Sequence, residues 1–232
     1  LAEAKDAWGQ VGFMKRFADV YTMAQEIIQR PEFGPVHVVK CKFGQGPYPQ
    51  LWGIDSAKRA MLIGQLVHVF DLIRFFGGDV VKVQAMFHGV TDTQFAYLVN
   101  MAFESGAVGQ LDVNSLEAKA AFRDIKEVLE VIGFETHLTC EDKLGLRYQP
   151  REDWTKATPH TGRYEHVWRP SWTGTARPQA TFGYMAEVQH FARRCLGLVE
   201  GGPDLWDGYK ALKIGEAVYE SAHGGGEVEI VY

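Results

Sequence analysis

Between Val80 and Tyr148 the chain repeats one pattern. A short run of β-branched and aromatic residues is followed by a turn, at intervals of roughly ten residues, with no helical periodicity in between. Val80 to Phe87, Thr93 to Phe103 and Val108 to Leu116 are three such runs, separated by Gly89 and by Ser105-Gly106. Glu127 to Ile132, Glu135 to Cys140 and Gly145 to Tyr148 are shorter, with turns at Gly133-Phe134 and Glu141-Asp142-Lys143. A parallel neighbour needs a crossover of a dozen or more residues, so strands this closely spaced pair mainly antiparallel. That restricts the fold to a meandering sheet whose helices come from outside this block.

Those helices flank it. Ala18 to Arg30 carries Tyr21, Ala24, Ile27 and Ile28 at helical spacing and stops at Pro31. Val36 to Phe43 reads as a strand, and the Gly- and Pro-rich stretch Gly44 to Gly53 as a loop. Ala57 to Phe76 is apolar nearly all round, the mark of a buried helix. Arg151 to Pro178 is irregular and aromatic. Phe182 to Leu198 and Asp204 to His223 are two further helices, and Val228 to Tyr232 is a closing strand. The expected fold is α+β: an open, mainly antiparallel mixed β-sheet with Ala57–Phe76, Phe182–Leu198 and Asp204–His223 packed on one face. At 232 residues the length suits one large domain or two small ones.

Charge and composition narrow the function. Lys and Arg total 24 against 29 Asp and Glu, a net charge of −5. No basic face is available for nucleic acid, nor a polybasic patch for a membrane. The richest apolar run, Ala60 to Gly78, is interrupted by Gln65, His68, Asp71 and Arg74, so a membrane span is not expected. The N-terminal residues lack the layout of a signal peptide. The chain starts without Met, as a fragment or processed piece would. Cys41, Cys140 and Cys195 are odd in number and far apart, which argues against a disulfide framework or a zinc site and for the cytoplasm.

No dinucleotide fingerprint is present. Gly44-Gln45-Gly46 follows a strand but opens into Pro47, Tyr48 and Pro49, and Gly224-Gly225-Gly226 follows a helix. The best chemical candidates are His68 and Asp71, three residues apart on the buried helix, where a carboxylate near an imidazole suits a general base. The same spacing suits a structural His satisfied by local hydrogen bonds. Lys15-Arg16 could hold an anionic or polyhydroxyl ligand, or form a solvated charge pair before a helix. The aromatic stretch from Tyr148 to Trp172, with Trp154, Tyr164 and Trp168, suits stacking on a sugar, a subunit contact, or packing on its own sheet. His160 and His166 lie there without a third ligand, so no metal site is expected.

Four segments in order carry a resemblance. Gly12-Phe13-Met14-Lys15-Arg16-Phe17, then His68-Val69-Phe70-Asp71 running to Gly77, then Glu187 with Phe191, then Asp207 to Leu212 with Ala217 to Ala222, are similar to the glucose-fructose oxidoreductase/inositol dehydrogenase/rhizopine-catabolism (Gfo/Idh/MocA) family. The likeness covers the family's second half. It implies the C-terminal substrate and oligomerisation domain of an NAD(P)-dependent oxidoreductase of sugars or polyols, residues 1–232 forming that domain. The Rossmann domain and its Glu-Lys-Pro motif would lie upstream. NAD or NADP would belong to the full-length protein, with none expected on this chain alone. The resemblance also implies that His68 is the catalytic base, with Lys15, Arg16 and Asp71 in the substrate site. Two positions depart from the family: Gly64 stands where an Asp usually lies four residues before the His, and Leu66 replaces a small residue. The spacing between Trp8 and Val11 is also shorter than usual. The departure at Gly64 leaves open a non-catalytic relative that binds carbohydrate or serves as a scaffold.

Assembly has its own signal. Strand alternation puts Phe95, Tyr97, Val99 and Met101 on one side and Ala96, Leu98, Asn100 and Ala102 on the other, both substantially apolar. With the helices on one face, a homo-oligomer (dimer or tetramer) through the open sheet face is expected. Gln84, Gln94, Asn100 and Gln110 favour a solvated face instead.

Overall fold

The computed structural model describes residues 7–117, 125–151, 165–169 and 181–232. Its frame is one nine-stranded sheet in the order β8-β7-β6-β5-β1-β4-β3-β2-β9. The strands are β1 (Val38–Gly44), β2 (Val80–Gly89), β3 (Phe95–Phe103), β4 (Val108–Asn114), β5 (Lys126–Ile132), β6 (His137–Glu141), β7 (Gly145–Gln149), β8 (His166–Trp168) and β9 (Glu227–Glu229). Only β1 and β4 run parallel, and the chain between them supplies a helical segment and the β2–β3 hairpin. Every other pair is antiparallel.

The register aligns one inward row across the sheet: Ala85, Val99, Leu111, Cys41, Leu129, Cys140 and Leu146, all buried. Three helices cover this face. α1 (Asp19–Ile28) lies on β6 and β7, α3 (Val67–Gly77) on β1, and α5 (Leu205–Gly224) on β2, β9 and α3. The α+β architecture follows the expectation, with three differences. The helix expected as one piece over Ala57–Phe76 is α2 (Ala57–Ala60), a π turn at Met61–Gln65 and α3, bent by 45°. The π turn is closed by Leu66 N–H donating to the Met61 carbonyl at 2.8 Å. α4 (Tyr184–Cys195) buries none of its residues and packs on the 3₁₀ turn Met14–Phe17. Finally, β8 forms inside the stretch expected to be irregular, pairing His166 with Tyr148. The rest of that stretch, with Trp154, His160, Tyr164 and Trp172, lies outside the described residues.

The other face of the sheet is less apolar than alternation suggested. Its central row is Gln84, Asn100, Gln110, Lys40, Glu130, Thr139 and Arg147, polar throughout. Met86, Leu98 and Val108 stand exposed beside it. Among the described residues no single helix is long and apolar enough to cross a membrane.

The edge by β9 is closed by a side chain. β9 pairs with β2 only from Lys82 to Gln84, and beyond it the Ala85 N–H donates to Ser221 Oγ of α5 at 2.9 Å. Ser221 in turn donates to the Gly226 carbonyl. Ser221→Ala strands a buried N–H and is expected to lower stability by about 1–3 kcal/mol. Urea unfolding measures this; an unchanged midpoint would contradict it.

Candidate functional site

Two adjacent cations organise the region where the resemblance places a site. The 3₁₀ turn Met14–Phe17 sends Lys15 and Arg16 to different layers. Lys15, 3% exposed, pairs with Glu127, which projects inward from β5 and has no exposed surface. Glu127 also accepts from the Tyr21 hydroxyl at 2.5 Å and has the Lys143 ammonium 3.6 Å away. Burial alone would raise the Glu127 pKa, but Lys15, Lys143 and the Tyr21 hydroxyl outweigh it and hold the carboxyl at about 2. The Cys41 thiol, on the same face, is pushed up to about 12 by burial and by Glu127, so it is not a reactive thiolate.

Arg16 turns to the helix layer. Its guanidinium donates to both oxygens of Asp71 on α3, at 2.8 and 2.5 Å, and lies 3.0 Å from Asp207 of α5. Asp207 is shared with Arg74 at 3.1 Å, Arg74 reaches Asp79 at 2.7 Å, and Lys210 joins Asp79. Asp207 also closes a capping box with Asp204 at the start of α5. Burial pushes the Asp71 carboxyl up to about 6 against the pull of Arg16. The chain of charges thus fastens the 3₁₀ turn, α3 and α5 together.

His68 sits one turn before Asp71, yet the two do not pair; Asp71 is engaged by Arg16 instead. The imidazole is partly exposed, packs edge-on against Phe13 at 5.8 Å, and keeps Nδ1 buried with no hydrogen-bond partner among the described residues. Burial first, and the Lys15 charge after it, lower its pKa to about 4 against the opposing pull of Glu127. The ring is therefore neutral at physiological pH and free to take a proton. One turn earlier, at Gly64, the space a side chain would need is filled: a Cβ there would lie 2.0 Å from Cζ3 of Trp52. The indole of Trp52 lies against the backbone there.

The structure thus brings Lys15, Arg16, Asp71 and His68 into one region but engages the charges of the first three within the protein. Sequence reasoning missed Glu127, Tyr21, Lys143, Asp207 and Trp52. Glu127 did carry a signal, since alternation in β5 places it inward with Leu129 and Val131. Among the described residues no group of three or more His, Cys, Asp or Glu is placed to hold a metal ion.

Comparison with known proteins bears on the family and the fold. Residues 25–230 match the family model for the C-terminal alpha/beta domain of an oxidoreductase family, Gfo/Idh/MocA. The chain is 29% identical to an inositol 2-dehydrogenase of Pseudarthrobacter chlorophenolicus, covering 99% of this chain and 65% of that protein. It is 25% identical to inositol 2-dehydrogenase 3 of Saccharopolyspora erythraea, over 99% of this chain and 64% of the relative. Its fold superposes on a dehydrogenase from Chromobacterium violaceum with a TM-score of 0.80 at 22% identity, covering 96% of this chain and 64% of that one. A levoglucosan dehydrogenase in complex with NADH and levoglucosan superposes with a TM-score of 0.75 at 18% identity, over 99% and 68%. The chain therefore spans about two thirds of the length of these proteins.

The buried cluster makes a direct prediction. Glu127→Gln leaves Lys15 and Lys143 without their counter-charge and is expected to cost about 3–5 kcal/mol. The Glu127 pKa is lower in the folded state than the ordinary 4.5, so its contribution is complete above that pH and is lost as pH falls towards 2. Urea titrations from pH 7 to 3 should show a smaller acid-side loss in the variant than in the wild type. Equal loss in both would contradict the pairing.

Proposed function

From the premise that this chain belongs to the Gfo/Idh/MocA oxidoreductase family as its C-terminal alpha/beta domain, we propose that it is the substrate-binding and oligomerisation part of an NAD(P)-dependent dehydrogenase of sugars or cyclitols. The observation that carries this reading is His68, a neutral imidazole held between a buried cation cluster and a partly open surface. The relatives named as inositol dehydrogenases and the neighbour holding NADH and levoglucosan support a small polyhydroxylated substrate.

His68 takes the proton of the reacting hydroxyl as the carbon is oxidised. Lys15, Arg16 and Asp71 act at one remove: they lock the 3₁₀ turn and α3 in place and so aim the imidazole. The glycine-rich turn after β1 does not fit a nucleotide. Gly44 and Gly46 follow β1, but the next helix starts only after Ser56, so no pyrophosphate can rest on a helix N-terminus there. NAD or NADP is held by the remaining third of the full-length protein, a Rossmann domain, and when bound supplies the hydride acceptor.

The open sheet face pairs copies of the chain into a dimer or tetramer. Met86, Leu98 and Val108 support this as apolar contacts, and the polar row beside them suits interfacial hydrogen bonds. Three cysteines with no disulfide support a cytoplasmic home. The second reading, a carbohydrate-binding or scaffold relative without turnover, is favoured by the glycine at 64, which puts no carboxylate beside His68 from that position.

NADH or NADPH formation by the full-length protein, offered cyclitols and aldopyranoses, separates the two. Turnover that falls by about 10²–10⁴ in His68→Ala is expected; turnover unchanged by His68→Ala, or none with any polyol, would overturn the dehydrogenase reading. Calorimetric titration of this chain alone with NAD(H) or NADP(H) should show no micromolar binding. Light scattering at micromolar concentration is expected to give at least twice the 26.0 kDa chain mass; a monomer would overturn the assembly.

A further inference from the structure

Trp52 combines features that packing does not require. Its backbone φ is 54°, in the left-handed region where a bulky residue is strained. Its side chain is 66% exposed, so the strain is not compensated by burial. The six-membered part of the indole lies on the backbone of Gly64: a Cβ there would meet Cζ3 at 2.0 Å, Cε3 at 2.7 Å and Cη2 at 3.0 Å. Only glycine at 64 admits the ring. Gly64 is four residues before His68, across the end of the π turn and the bend at Leu66, so the indole lies against the segment that leads directly into the imidazole. Strain in a chain held by its surroundings marks sites where geometry serves a task.

We propose that Trp52 is the specificity-determining residue of the His68 site: a flat aromatic platform on which a six-membered polyol ring stacks, with its reacting hydroxyl turned towards His68. This rests on the dehydrogenase reading above. A pyranose or cyclohexane polyol gathers axial C–H groups on a ring face, and these weakly positive hydrogens suit the negative face of an indole. An open-chain polyol offers no such face. The indole selects ring shape, and the remaining polar contacts fix only orientation.

Steady-state kinetics of the full-length protein with myo-inositol and D-glucose test this in Trp52→Ala, Trp52→Phe and Gly64→Ala. In Trp52→Ala, KM for the ring substrate that is turned over should rise about tenfold with kcat kept within a few-fold, and Trp52→Phe should restore most of the affinity. Gly64→Ala, which pushes the indole aside, should raise KM similarly without removing it. In the full chain, the Trp52 indole N–H signal should shift on adding myo-inositol or D-glucose and stay in place with D-sorbitol. If polyols are oxidised but Trp52→Ala leaves KM within twofold, the platform is wrong while the dehydrogenase reading stands. A fall in kcat and melting temperature alone, with KM unchanged, would likewise overturn it in favour of a structural role. If His68-dependent turnover is absent with every polyol, it is the underlying reading that fails.

Discussion

Two neighbouring cations committed to different layers hold this region in register. Lys15 goes down to Glu127 on the sheet and Arg16 goes across to Asp71 on the helix above it. Buried ion pairs carry a desolvation cost that often cancels their attraction, so this arrangement is poorly explained as a source of stability alone. Its effect is positional. A turn bound to both layers leaves α3 little freedom to slide over β1, and His68 lies on α3 within reach of the Lys15 field. Moving either carboxylate would leave an uncompensated charge and shift the imidazole with it.

The same commitment explains why the imidazole is left alone. Arg16 engages both oxygens of Asp71, and the carboxylate three residues from His68 does not hydrogen-bond it. The position one turn before offers a glycine under an indole. His68 is thus a weak base kept neutral by burial and by a neighbouring positive charge, rather than one strengthened by a carboxylate. The π turn at Met61–Gln65 adds an extra residue just before it and bends the segment, so the Gly64 backbone is open to Trp52.

Much of the frame was legible in the sequence because it rests on local periodicity. The strands of the meander fall close to their expected bounds, and alternation assigned Phe95, Tyr97, Val99 and Met101 to one side, which is the buried one. What periodicity could not supply depends on distant partners. The spacing of His68 and Asp71 suited either a pair or a structural His, and the partner Asp71 takes is Arg16, 55 residues away in sequence. The π turn carries no composition signal, so Ala57–Phe76 looked like one helix. β8 is three residues long and is defined only by its pairing with β7. The helical pattern of α4 matches the structure, but its apolar stripe stays exposed instead of being buried on the sheet. For the outward face, the glutamines and Asn100 were the better guide than the counted apolar residues.

The state of His68 is the most direct measure of whether the clamp shapes the site. Proton NMR titration of the imidazole Cε1–H signals from pH 7.5 to 3.5, assigned with His68→Gln, follows it without reference to activity. Burial next to the clamp predicts a His68 midpoint of about 4, and the clamp's own part is read as a rise in Lys15→Met when the neighbouring positive charge is removed. A wild-type midpoint at the ordinary 6.5, unmoved by Lys15→Met, would contradict it.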